Sequence, residues 1–101
     1  MNQTTITLKA LNNDNRLQIL QWLKNPTSHF LPQVDGDLVK DGVCSGAIAD
    51  KLKISGPALS VHMRLLSDAG LVRSTKIKGW VFYQRDEWAI KKALSDLSQT
   101  I

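Results

Sequence analysis

Residues Cys44–Val72 read CSGAIADKLKISGPALSVHMRLLSDAGLV, two short helical segments separated by a turn. Ser45 is expected to cap the first, which runs to about Leu52 with Ile48, Ala49 and Leu52 facing inward. Lys53-Ile54 forms the turn. Ser55 caps the second segment, and Gly56 and Pro57 fall in its first turn, where a missing N–H costs little. This helix stops at Gly70, a residue suited to the left-handed backbone just past a helix end. At about 100° per residue, Leu59, Met63 and Leu66 share one narrow face. His62 and Ala69 lie at its edge, with Ala58 and Leu65 beyond them. The opposite arc holds Gly56, Pro57, Ser60, Val61, Arg64 and Asp68. One side is therefore a core stripe, and the other is small with a single cation.

Downstream, Leu71–Ile77 and Trp80–Arg85 read as two strands joined by a tight turn at Lys78-Gly79. Asp86 then starts a last helix whose apolar residues Ile90, Leu94, Leu97 and Ile101 recur at helical spacing, with Trp88, Ala89 and Ala93 widening the face. Upstream, Asn13 caps a helix running to about Lys24, with Asp14 favourably placed against the helix dipole. Before it, a short apolar-spaced segment runs from near Thr5 to Leu11. Between Pro26 and Gly42 there is no sustained period, and this stretch reads as a long connection. Phe30, Leu31, Val34 and Leu38 are expected to pin it, because a loop of that length is unusual unless tied down. The order is mainly α with a β-hairpin wing, α-α-α-α-β-β-α: a winged helix-turn-helix, with residues 1–101 forming a single domain.

The 101 residues, 43% hydrophobic and 22% charged, fit a folded domain and are too apolar for a disordered chain. A domain this small buries only about two-thirds of its unfolded surface, close to the size where a partner subunit helps. No apolar run approaches the roughly 18 residues of a membrane span, and the first ten residues, MNQTTITLKA, lack a signal-peptide core. A single cysteine, Cys44, excludes an internal disulfide and fits a reducing, cytoplasmic setting. The formal net charge is +4. Its distribution says more than its sum. Between Cys44 and Arg85, seven cations (Lys51, Lys53, Arg64, Arg73, Lys76, Lys78, Arg85) face only Asp50 and Asp68, and the rest of the chain is close to neutral. That asymmetry points to a polyanion, with nucleic acid (double-stranded DNA) first and an anionic membrane surface second.

The steric logic agrees, since a helix with a small polar outer face fits a major groove. Ser55, Gly56, Pro57, Ser60, Val61 and Arg64 on the 55–70 helix, with Lys76 and Lys78 on the 71–85 wing, are the expected DNA-contacting residues. Arg64 has the reach for a phosphate or a guanine edge, Ser60 bonds to base or backbone, and Val61 suits a thymine methyl. Arg73 and Arg85 sit at the wing base, where cations straddle a phosphate backbone. Trp80 reads first as a cover for the hairpin. His62, at the edge of the core stripe, reads as a packed or hydrogen-bonded imidazole ahead of a base contact. Cys44 reads as a small core residue, with a dipole-activated thiol as the alternative.

On these residues the chain resembles the ArsR family of small bacterial winged-helix repressors. LNNDNRLQILQWL (Leu11–Leu23) is similar to that family's opening helices, the Cys44–Val72 stretch to its helix-turn-helix, and RSTKIKGWVFYQRD (Arg73–Asp86) to its wing. The resemblance implies a homodimer built from the first and last helices, bound to an inverted-repeat operator and released by a signal, either an unknown small molecule or a redox change. Leu8, Leu11, Ile90, Leu94 and Leu97 are then the interface residues. The metal-sensing motifs are not intact. Cys44 matches the first residue of the family's Cys-x-Cys pair, but Gly46 stands at the second; Asp86 matches an Asp-x-His start, but Trp88 replaces the histidine. No metal or cofactor is expected. Gly56 and Ala58 stand where many relatives carry hydrogen-bonding side chains, so base readout is expected to be thin and to lean on DNA shape. An enzyme fails on inventory, having no phosphate-binding glycine loop and no paired catalytic carboxylates. The alternative from another class is a winged-helix protein-interaction module without sequence-specific DNA binding.

Overall fold

The computed structural model describes residues 2–101. Helix α1 spans Gln3–Leu11 and starts two residues before the expected point, because the Asn2 side chain accepts from the Thr5 N–H at 2.9 Å and caps it. Helix α2, Asp14–Lys24, starts where expected, with Asn13 Oδ1 accepting from the Arg16 N–H at 3.1 Å. A 3-10 turn at Pro26–Ser28 opens the connection. Then come β1 (Val43–Cys44), α3 (Ser45–Leu52), α4 (Gly56–Asp68), β2 (Val72–Ile77), β3 (Trp80–Arg85) and α5 (Glu87–Thr100).

The caps explain the boundaries. Ser55 Oγ accepts from the Ala58 N–H, Asp86 Oδ1 from the Ala89 N–H, and Gly70 takes a φ of +75° past the end of α4. Lys78 (φ 51°) and Gly79 (φ 84°) form a two-residue hairpin turn with both residues left-handed, the geometry that matches strand twist. The core gathers Ile19, Leu20 and Leu23 of α2, Ile48 and Ala49 of α3, and Leu59, Met63 and Leu66 of α4 against Ala10 and Leu71. Helix α5 has no fully buried residue and leans on α1.

Three expectations are corrected. The sheet has three strands, in the order β1-β3-β2, because Val43 and Cys44 pair antiparallel with Tyr83 and Phe82. Ser45 is accordingly the first residue of α3 rather than its cap. Cys44 holds the cap position without a side-chain cap bond. A two-residue strand shows no period, and its pairing depends on residues far along the chain.

Leu31 (86% exposed) and Val34 do not pin the connection; both point to solvent, while Phe30 and Leu38 do pack. The tie is polar instead. Gln33 Oε1 accepts from the Cys44 N–H at 2.7 Å, and its Nε2 donates to the Gly36 and Gly42 carbonyls. Gln84 Nε2 donates to the Val39 carbonyl at 2.6 Å. Asp37 Oδ2 accepts from the backbone N–H groups of Lys40 and Val39, which holds its carboxyl below the usual range. Glycine is required at two points. A Cβ at Gly42 (φ +107°) would run into the Tyr83 carbonyl, and one at Gly36 would sit 2.7 Å from the Phe82 ring.

Candidate nucleic-acid interface

Helix α4 lays Leu59, Met63 and Leu66 into the core and turns Gly56, Pro57, Ser60, Val61 and Arg64 to solvent. Ser55 caps it from the same exposed end. A Cβ at Gly56 would meet nothing within 4 Å, so the start of the helix is low and open to close approach. Ala58 and Leu65, beyond the expected core edge, are exposed and half-buried respectively.

The cations divide into free and committed. Among the described residues, Lys53, Arg64, Arg73 and Lys76 have no side-chain partner and stand exposed. Lys78, at the wing tip, pairs with Asp35 of the connection at 3.2 Å. Lys51 lies over the rings of Trp22 and Phe30, 5.2 and 5.6 Å from their centroids, in a cation–π contact. Arg85, expected at the phosphate backbone, is committed inward: its Nε and Nη2 reach Glu87 at 2.8 and 2.9 Å, and Nη1 donates to the Leu20 carbonyl. The basic surface is thus narrower than composition suggests. Trp80 stays largely exposed and walls a small apolar cleft with Val34, Cys44 and Phe82.

His62 is the hydrogen-bonded imidazole that its position suggested. Arg16 Nη1 donates to His62 Nδ1 at 3.0 Å, so the ring proton sits on Nε2. Arg16 itself is only 7% exposed; its Nε donates to the Ala10 carbonyl at 2.8 Å and Nη2 to the Lys9 carbonyl at 3.0 Å. Sequence reasoning missed this residue. The signal was there: a cation in the first turn of a helix faces the positive end of the dipole and needs another reason to be there.

Burial first, and Arg16 second, hold the His62 pKa below its ordinary value of 6.5. The unfolded chain therefore binds this proton more readily than the folded one, so stability rises with pH across that window. The contribution is complete above about pH 6.5 to 7 and shrinks as the pH falls below the unfolded value. In urea titrations between about pH 7 and pH 5, the midpoint of the native chain should fall, and that of His62→Asn should fall less. Equal slopes would dismiss His62 as the titrating group.

Of the expected interface residues, Leu8 and Leu94 are exposed, Leu97 is half-buried, and Leu11 and Ile90 are shared with the core. Trp88, 72% exposed, stands beside a groove of about 190 Å³ between α1 and α5, floored by Thr7, Ala89, Ala93 and Leu97. Among the described residues no cluster of His, Cys, Asp and Glu is able to hold a metal, and no helix is long and apolar enough to cross a membrane.

A family model described as a helix-turn-helix domain matches residues 11–75. The chain is 46% identical over 92 residues to the uncharacterised HTH-type transcriptional regulator YbzH of Bacillus subtilis, covering 91% of each. Among solved structures, HlyU from Vibrio cholerae superposes with a TM-score of 0.65 at 28% identity, over 97% of this chain and 90% of that one. An ArsR-like transcriptional regulator from a Rhodococcus species gives 0.69 at 21% identity, over 97% and 76%, and bears on the fold alone.

Proposed function

Because the chain belongs to the helix-turn-helix transcriptional regulators, with the winged-helix fold of the ArsR-like group, we propose that it works as a homodimeric repressor. It is a DNA-binding regulator and not an enzyme. In this reading α4 enters the major groove of an inverted-repeat operator and the wing lies along the flanking backbone. The observation that carries it is the low, exposed face of α4 with Arg64 unpaired on it and Lys53, Arg73 and Lys76 unpaired around it. Ser55, Gly56 and Pro57 let the backbone approach closely, and Ser60 and Val61 supply the remaining groove contacts. Lys76 neutralises phosphates, joined by Lys78 when it exchanges its exposed pairing with Asp35 for a phosphate. Occupancy of the operator then excludes polymerase.

The homodimer is supported by α5, which buries no residue fully and presents Trp88 and Leu94 to solvent. Leu8, Leu94 and Leu97 carry the interface, with Leu11 and Ile90 behind them. No metal or cofactor has a role in this reading, and the effector that releases DNA is a small molecule or a redox change.

Selection of bound duplexes from a random pool, without added metal, tests the whole reading. Recovery of an inverted repeat with half-sites about one helical turn apart is the expected result. Arg64→Ala should weaken binding to that duplex by about 1–3 kcal/mol if the guanidinium reads a base. An affinity unchanged within twofold removes Arg64 from the contact set. The small, apolar character of Gly56, Pro57, Ala58 and Val61 favours one second reading, a protein-docking face. A pool that yields nothing, with partner binding indifferent to salt, would establish it.

A further inference from the structure

One guanidinium joins three helices. Arg16, in the first turn of α2, bonds to the last-turn carbonyls of α1 at Lys9 and Ala10 and to His62 in the middle of α4. It is the one buried cation among the described residues. Leu59, Met63 and Leu66 turn their stripe of α4 to the core by burial, a force that is itself non-directional. The Arg16–His62 bond is directional, because the guanidinium is a planar fork already oriented by two carbonyls.

Its place on α4 gives it leverage. His62 is two residues after Ser60 and two before Arg64, which places it about 160° round the helix from both. A rotation of α4 by about 15–20° would carry groups at the roughly 5–6 Å side-chain radius through about 1.5–2 Å. Hydrogen bonds to a base edge tolerate only a few tenths of an ångström around about 2.9 Å. A rotation pin on the core side thus governs which edges the outer face meets, without touching DNA itself.

We propose that Arg16, acting through His62 Nδ1, is a positioning residue that sets the rotation of α4 and thereby the sequence preference of its exposed face. The inference rests on the DNA-binding reading of α4. Contacts to phosphates depend on charge and tolerate such a rotation; contacts to base edges do not. Losing the pin therefore costs discrimination before it costs general affinity.

The test compares two variants with opposite expectations. His62→Asn keeps an acceptor at the δ position, whereas His62→Leu fills similar space without one. Each is titrated at one salt concentration with the duplex recovered by selection and with a scrambled duplex of the same length. His62→Asn is expected to keep the native affinity ratio between the two duplexes within about threefold. His62→Leu, and Arg16→Met where it folds, are expected to lose tenfold or more of that ratio, with affinity for the scrambled duplex changed less than twofold. A merely structural loss lowers the active fraction and moves both titrations together, leaving the ratio intact. The proposal is overturned if His62→Leu keeps the native ratio, or if His62→Asn and His62→Leu lose it equally. If the native chain itself prefers no duplex, the reading of α4 falls and takes this inference with it; a native preference that His62→Leu retains overturns the inference alone.

Discussion

The double variant Leu94→Glu, Leu97→Glu should sediment as a monomer and lose operator affinity by roughly two to four orders of magnitude. Leu94 is 54% exposed and Leu97 half-buried within one protomer, so neither supports the core that holds the helix-turn-helix together. In a two-fold pair each substitution counts twice. Four leucines leave the contact, each worth about 1.5–3 kcal/mol when fully buried, and four carboxylates enter it. DNA binding then loses the linkage between half-sites, where joined modules gain about 10²–10⁴ over either alone. Sedimentation or light scattering reads the first effect and a titration of the selected duplex the second. Thermal melting provides the control, since the monomer should unfold within a few degrees of the native protomer at low concentration. A variant that stays dimeric would refute α5 as the interface.

Phe82→Ala is expected to cost about 3–5 kcal/mol of folding stability, a large part of the 5–15 kcal/mol typical of a domain. Phe82 is 1% exposed on the central strand, with Cys44 opposite it on β1 and Thr75 opposite it on β2. Its ring lies under Gly36, so it supports the wing and the connection together, apart from the main cluster around Ile19 and Leu66. The loss should therefore begin locally. Limited proteolysis should cut first within residues 33–42, before the α2–α4 core opens, and the melting temperature should drop by roughly 15 °C or more. Simultaneous cleavage throughout the chain would show that the ring belongs to one undivided core.

The elements that sequence made legible are those set by neighbours in the chain. Asn13, Ser55 and Asp86 cap helices because the bond they make is three residues away. Gly70 and Gly79 mark a helix end and a turn through their own backbone angles. The α4 stripe followed from its period alone. What escaped depended on distant partners. β1 exists through Phe82 and Tyr83, Arg85 is drawn inward by the Leu20 carbonyl, 65 residues away, and Arg16 is held by His62, 46 residues away. Leu31 and Val34 misled for a related reason: hydrophobicity alone did not reveal that Gln33 and Gln84 fasten the connection through its carbonyls. The same distance effect thinned the basic patch, because charge counting registers Lys51 and Arg85 but not what they face.

The short strand β1 also places a demand on synthesis. Val43 and its partner Tyr83 are forty residues apart, an interval of roughly 2–8 s at about 5–20 residues per second on the ribosome. Over that time α3 and α4 are added and, once Asp68 is in place, have what they need to pack with α2, while Val43 and Cys44 still have no strand beside them. Gln33 is already present, eleven residues upstream, and its side chain accepts from the Cys44 N–H as a neighbouring strand would. That bond closes a short loop, which costs less chain entropy than a forty-residue one. The nascent chain can thus hold a place for β3 before β3 has been made.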